Sequence, residues 1–454
     1  MFIIETIGEV IMNIALCHFR IGETDGVSLE MEKWRIELEK QGHKVIYIGG
    51  NPYEDTEVIE ELFYKDAVND KIVTNSYIKL LDYSEDGLKE TINRTAQVIE
   101  KKVIELIKKR NIDIIVPNNI WSLGWGLPAA IGIYNAIKST GIKAVAHNHD
   151  FYWERSKYEN PTTEYIKELL ETYFPPKGDN IRYVVINSIA QKELKKRKGI
   201  DATIVPNVFD FSAKLWEEDD YNSDFRDSLG IKKEDILVLQ ATRVTERKAI
   251  ELAIDTIGGL VKERNNSALR QYNLYNGKKF TGEIIFVLAG LIECEEEYLN
   301  SLKKKAEKLN VKIKFANSKI DSYRHTKEGV KIYSLWDAYV HSDFVTYPSI
   351  LEGFGNQFLE ALFAKKPILV YEYPVYLTDL KKIGFNIVSL GENYELDGEG
   401  LVTVDRGIIK KAEQEIIIYL KDSEYRQTNV EENFAKGRKH FSYEALGEIL
   451  KSIV

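Results

Sequence analysis

Two separate series of short apolar runs, each run followed by a helix-compatible stretch, constrain the fold of this chain more than any other feature. The first series opens after Met12 with NIALCHF, passes through a polar loop and a helical stretch over 29–41, and reaches KVIYIGG at 44–50. Buried-type strands follow at 113–116, 143–146, 183–187 and 202–205, with helical segments such as 91–110 and 163–173 between them. The acidic stretch 216–224 then breaks the pattern, and a second series runs from ILVLQAT at Ile236 through 284–290, 311–316, 343–349 and 366–372. Strand-helix alternation of this kind predicts mainly parallel, doubly wound sheets. The expected architecture is α/β, with two Rossmann-like domains and a linker near 207–222. A length of 454 residues agrees, because one core stops growing at about 250–300 residues. Open α/β sheets bind ligands at the C-terminal ends of their strands, so a cleft with the two domains facing across it is the expected active site. The polar segment 265–281 lacks a sustained apolar period and reads as a surface insertion.

Composition removes several classes of function. With 62 basic and 71 acidic residues the formal charge is −9, and residues 1–210 carry 27 and 32 of them, so neither half is basic. A nucleic-acid binder needs an extended cationic face, and a polybasic lipid-binding surface needs the same. The run Lys192, Lys195, Lys196, Arg197, Lys198 reads as a solvated helix face. Cys17 and Cys294 stand far apart without His/Cys spacing, which encodes neither a disulfide framework nor a zinc site and fits a reducing cytoplasm. The uncharged run 114–137 has the length of a membrane span, yet Pro117, Asn118, Asn119, Gly124, Gly126 and Pro128 divide it into strand, loop and helix, so no integral membrane segment is expected. The start lacks a secretory signal. A strand opening directly after Met12, and codons for 8–11 that admit a purine-rich ribosome-binding sequence, allow residues 1–11 to be either untranslated sequence before a start at Met12 or a short natural extension.

The segment 347–361, YPSILEGFGNQFLEA, follows a strand and opens a helix. Its two glycines let backbone amides approach a ligand, and the helix turns its N-terminal dipole toward negative charge. Glu352 lies in the loop and Glu360 about one turn into the helix, two carboxylates suited to sugar hydroxyls. A second segment, ATRVTERK at 241–248, lies where the first strand of the second domain meets its helix, and places Arg243 and Lys248 where both could converge on one anion. Arg247 reads as a solvent-facing neighbour.

The first of these segments resembles the E-x7-E motif, E-G-F-G-x-x-x-x-E, of the retaining glycosyltransferases of family 4, which have the GT-B fold. The resemblance implies that Glu352 contacts hydroxyls of the donor sugar, that Glu360 holds the nucleotide ribose, and that Gly353, Phe354, Gly355 and Asn356 line the donor. It implies that Arg243 and Lys248 bind the donor diphosphate in place of a metal. In the loop HFRIGETDGVS at 18–28 it gives Gly26 the donor-phosphate turn; Asp25 stands where a second Gly is common and is therefore an acceptor-side candidate, while Arg20 reads as an anchor for an anionic acceptor or as a surface ion pair. In AHNHDFYWER at 146–155 it matches His149 and Asp150 to a loop near the donor sugar, with His147 as runner-up; Asp150 is also an acceptor-side candidate, and the aromatic surface and charge that follow it, suited to a sugar or polyol, add Trp153 and Arg155. The implied domains are an acceptor-side domain over 1–210, a nucleotide-sugar domain over 222–430, and terminal helices over 431–454 that cross back to the first.

The activity expected is metal-independent, retaining transfer of a sugar from a nucleotide diphosphate sugar to a hydroxyl acceptor, a small soluble one given the acidic first domain. No cofactor is expected; no D-x-D, G-x-G-x-x-G or G-x-S-x-G occurs. The rival readings are an epimerase of the same fold and a sugar-nucleotide-binding protein without transferase activity.

Overall fold

A computed structural model describes residues 11–23 and 25–454. The expected extension over 1–11 falls outside the described residues except for Ile11. The chain divides into two compact units, one running to Val208 and including Tyr443–Val454, the other Phe209–Ser442.

The first unit holds a seven-stranded parallel sheet: β1 Asn13–Cys17, β2 Lys44–Gly49, β3 Glu57–Val58, β4 Ile114–Pro117, β5 Lys143–Asn148, β6 Ile181–Val185 and β7 Thr203–Ile204. Their spatial order is β3-β2-β1-β4-β5-β6-β7, so the order reverses at β1, where a ligand crevice forms in such sheets. Alternation along each strand sorts side chains to two faces. Ala15, Cys17 and Ile115 pack under the helices Glu85–Arg110 and Leu127–Thr140. Ile14, Leu16, Ile114 and Val116 instead meet Met31, Trp34 and Leu38 of the helix Gly26–Lys40, together with Leu446, Leu450 and Ile453 of the last helix, Tyr443–Ile453. The end of the chain thus completes the core of its first unit.

The second unit has a six-stranded parallel sheet: β8 Ile236–Gln240, β9 Ile284–Leu288, β10 Lys312–Phe315, then β14 Phe344–Tyr347, β15 Ile368–Val370 and β16 Val388–Ser389, in the order β10-β9-β8-β14-β15-β16. Between β10 and β14 lies a small sheet the pattern did not announce, made of β11 Ile320–Asp321, β12 His325–Lys327 and β13 Val330–Ser334. The polar segment near 265 is partly helical, Glu263–Gln271, with Leu269 as its buried residue.

The units divide differently from the expected ranges. The helix Ser423–Phe441 lies in the second unit, and only the residues beyond Ser442 join the first. Residues 209–222, read as linker, also belong to the second unit. Both differences have one cause: Phe209, Phe211 and Trp216 pack on Phe363, and Phe434 of the helix Ser423–Phe441 packs on Phe211 at 5.4 Å between ring centres. Gly437 permits that contact, since a Cβ there would fall 2.6 Å from the Phe211 ring.

Leu450 is fully buried in the first unit's core, and its truncation to Ala should cost about 2–5 kcal/mol. Calorimetry of Leu450→Ala should show a melting transition several degrees lower; an unmoved transition would mean the last helix is not part of that core.

Candidate active site

Neighbouring parallel strands deliver the two charged loops of the second unit to one place. β8 and β14 pair with Phe344 opposite Val238 and Val345 opposite Leu239, so the chain leaves both strands side by side at the C-terminal edge of the sheet. The loops are tied where the Ile350 amide donates to the Arg247 carbonyl at 3.0 Å. Ala249 takes a left-handed conformation, φ +43°, at the turn that follows Lys248. The Lys248 ammonium pairs with one oxygen of Glu352, and Arg247 donates to the other at 2.9 Å and to the Leu351 carbonyl at 3.1 Å. Both partners of the inner pair are only 9% exposed. Burial opposes ionisation of Glu352, yet Lys248 and Arg247 together hold its carboxyl below the usual range. Burial lowers the Lys248 ammonium as well, against the pull of Glu352.

Arg247 faces solvent as expected, its side chain 43% exposed, and is at the same time the second cation on Glu352. Arg243 does not share an anion with Lys248 here. Its guanidinium bonds Glu293 at 2.8 Å, and its side chain is 59% exposed. Buried polar atoms without a hydrogen bond among the described residues flank these loops, Thr245 Oγ1 and Gln357 Oε1 among them. A hydroxyl and an acceptor oxygen left in this way could both bond the hydroxyls of a sugar.

The glycine turn is fixed by two tyrosines. Gly355 has φ +122°, and a Cβ there would lie 2.3 Å from Tyr373 Oη and 3.2 Å from Tyr347 Oη. Tyr373 O–H donates to the Phe354 carbonyl at 2.6 Å, while the buried Phe354 ring packs on Phe441. The helix Asn356–Phe363 starts at this turn, with Gly353 exposed and Asn356 half-buried ahead of its first turn. Glu360, on the next turn, accepts a hydrogen bond from the fully buried Tyr339 at 2.9 Å. Glu352 and Glu360 are thus held by unlike partners, one by cations and one by a phenol.

In the first unit, Asp25 caps the helix Gly26–Lys40. It accepts from the amides of Val27 and Ser28 at 3.1 and 3.3 Å and from the Ser28 hydroxyl at 2.6 Å. Arg20 pairs with Asp25 at 3.1 Å and with Glu23 at 3.3 Å, and lies over the Tyr64 ring. Gly26 is the first helical residue, and a Cβ there would meet nothing within 4 Å among the described residues. No packing contact requires that glycine, whereas close approach of a ligand to the backbone would.

After β5, burial keeps His149 neutral down to about 4, helped by His18 and opposed by Asp150. Its Nε2 is buried and makes no hydrogen bond among the described residues. His147 lies 4.4 Å away ring to ring, stacks on Trp34 and bonds Asn118 Oδ1 at 2.8 Å, so the runner-up has its polar contact inside the protein. Asp150 accepts from Arg155 at 2.9 Å and from Asn119 at 2.8 Å. Trp153 stacks on Phe151 under the Arg197 guanidinium. Four of the expected acceptor-side candidates therefore pair off with one another, Arg20 with Asp25 and Asp150 with Arg155.

Sequence reasoning missed Arg247, Tyr339, Asn118 and Asn119. A signal existed for the asparagines: an uncharged polar pair directly after a buried strand, at the edge where ligands bind. Tyr339 carried none. Among the described residues no group of three or more His, Cys, Asp or Glu is placed to hold a metal ion, and no helix is long and apolar enough to cross a membrane.

The family described as Glycosyl transferases group 1 matches residues 222–382, which contain both charged loops. A mannosylglucosylglycerate synthase of Petrotoga mobilis is 46% identical over 417 residues, covering 90% of this chain and 94% of the relative. One of Thermotoga maritima is 41% identical over 442 residues, covering 97% and 99%. The fold is shared with a glycosyltransferase from Rickettsia africae at a TM-score of 0.60 and 16% identity, over 98% of this chain and 97% of that one. The chain belongs to the family of these two synthases and carries a Glycosyl transferases group 1 domain over 222–382, in a two-domain glycosyltransferase of the GT-B architecture.

Proposed function

We propose that this enzyme is a metal-independent, retaining transferase of family 4 that makes a mannosylglucosylglycerate, moving a mannosyl unit from a nucleotide diphosphate sugar to glucosylglycerate. The observation that carries the reading is the buried meeting of Glu352 with Lys248 and Arg247 at the ends of two adjacent parallel strands. Identity of 46% with a mannosylglucosylglycerate synthase supports the choice of product. In this reading Lys248 and Arg243 take the diphosphate charge, the Gly353–Gly355 backbone and Gly26 approach the phosphates, Phe354 and Asn356 line the donor, and Glu360 holds the ribose. Glu352 orients the sugar, and His149 contacts it. Arg20, now on Glu23 and Asp25, exchanges those partners for the glycerate carboxylate, with Asp150, Trp153 and Arg155 on the acceptor side. Two unpaired cysteines suit a reducing cytoplasm.

The chemistry balances without a protein base. The acceptor hydroxyl oxygen bonds to the anomeric carbon on the leaving-group face as the carbon–phosphate oxygen bond breaks. The hydroxyl proton passes to the departing diphosphate. Fixed cations aimed at that developing charge lower the barrier by several kcal/mol in sites of this type. The direct test is to incubate the enzyme with nucleotide mannoses and glucosylglycerate and to follow the product by NMR. A new glycoside with the donor's anomeric configuration is expected; an inverted product would overturn the retaining assignment.

Turnover is expected to persist in excess EDTA, because Arg243 and Lys248 supply the charge a cation would. Loss of activity that magnesium or manganese restores would show that a metal carries the diphosphate.

The two glutamates should separate by assay. Glu360→Gln weakens donor and free nucleotide diphosphate alike, since both contain the ribose. Glu352→Gln lowers turnover with the sugar donor but leaves free nucleotide affinity equal or tighter, because it removes a carboxylate that competes with phosphate for Lys248. Calorimetric titration of both variants checks the division. If Glu352→Gln loses nucleotide affinity as Glu360→Gln does, the roles are wrongly assigned.

A further inference from the structure

Asn119 sits one residue beyond the Asn118 that bridges to β5, in the left-handed region at φ +56°, and is only 5% exposed. Its side chain uses both ends. The Oδ1 accepts from the His149 amide at 2.9 Å and from the Ser122 hydroxyl at 2.6 Å, while the Nδ2 donates to Asp150 Oδ1 at 2.8 Å. Its own amide donates to the His147 carbonyl at 2.8 Å, and the Ser122 carbonyl receives the Tyr152 amide at 2.7 Å. The turn 119–122 therefore fastens residues 147, 149, 150 and 152 from one side. His149 Nε2 has no hydrogen bond among the described residues, while Asn119 holds the His149 backbone and the ring packs on His147.

We propose that Asn119 is the positioning residue for His149 and Asp150, acting on sugar transfer through them. This rests on the reading of His149 as a contact of the donor sugar. Residue type and conformation both suit that role. Asparagine tolerates positive φ better than most side chains, and its amide is both acceptor and donor. Aspartate has the same shape but would face Asp150 with a second carboxylate. Glycine accepts the backbone but drops every side-chain contact.

The experiment compares Asn119→Gly, Asn119→Asp, His149→Ala and the double variant Asn119→Gly/His149→Ala by kcat, donor KM, titration with free nucleotide diphosphate, and melting temperature. Asn119→Gly should lower kcat by roughly tenfold or more, the scale on which misplacement of about 1 Å acts. Free nucleotide affinity should change little, because the residues assigned to it, Gly26 apart, lie in the second unit. The double variant should be no slower than His149→Ala. Should Asn119→Gly fail to fold, Asn119→Asp supplies the same comparison. If His149→Ala keeps full turnover, the reading of His149 falls and the proposal with it. If His149→Ala is impaired while Asn119→Gly turns over normally, loses nucleotide affinity to the same degree as turnover, or adds its full loss to that of His149→Ala, only the positioning role is overturned.

Discussion

The buried carboxylate of Glu352 is the constraint around which the second unit's site is arranged. Lys248 and Arg247 are consecutive, and two cations brought together repel; Glu352, from the loop after the adjacent strand β14, offsets one of the two charges and draws the loops together. Such a pair is poor evidence for stability, because removing each ion from water costs several kcal/mol and an apolar substitute of similar volume packs as well. Its value lies in fixing charge before a ligand arrives. Lys248 is buried and its direction settled. Arg243, by contrast, holds Glu293 in a pair whose side chains are 59% and 41% exposed, and exposed pairs of this kind are worth about 0–1 kcal/mol. On the proposed reading Lys248 is the fixed contact of the diphosphate and Arg243 the arm that changes partner.

The loops of the first unit follow a different electrostatic logic. His18, His147 and His149 lie within a buried cluster, and burial holds all three below the ordinary histidine range, His18 and His149 to about 4. Asn118 joins two of them, taking His18 Nδ1 on its carbonyl at 2.7 Å and His147 Nδ1 on its side chain at 2.8 Å. Near neutral pH these rings act as hydrogen-bonding groups without charge. A neutral imidazole such as that of His149 can donate or accept one hydrogen bond without adding charge to its surroundings.

How much of this the sequence disclosed depended on whether the signal was local. Strand-helix alternation is local, and the runs at 236, 284 and 343 became β8, β9 and β14 within a residue or two of the expected places. The motif 352–360 was legible because its glycines and carboxylates lie on one short segment. Partners were not. Arg247 and Lys248 differ in side-chain direction, which periodicity does not reveal across a single 3-10 turn. Asp25 was read for a ligand although Asp-Gly-Val-Ser is also a helix N-cap pattern, and the structure shows its carboxylate capping the helix and paired with Arg20. The division at Ser442 depended on aromatic contacts between residues more than 200 positions apart, such as Phe211 with Phe434.

The glycine turn links these levels. Gly355 sits where φ is +122° and where a Cβ would collide with Tyr373 Oη, so both the backbone angle and the space exclude a side chain. Tyr373 in turn spends its hydroxyl on the Phe354 carbonyl, fixing the peptide that directs the chain into the helix carrying Glu360. Tyr339 then fixes Glu360 from the helix Leu335–His341. Phenols, which bury a rigid ring and present one polar atom, lock each hinge of the loop. The conformational cost of ordering this glycine-bearing turn is met by folding rather than by ligand binding, and preorganisation of that kind is what electrostatic stabilisation of a departing diphosphate requires.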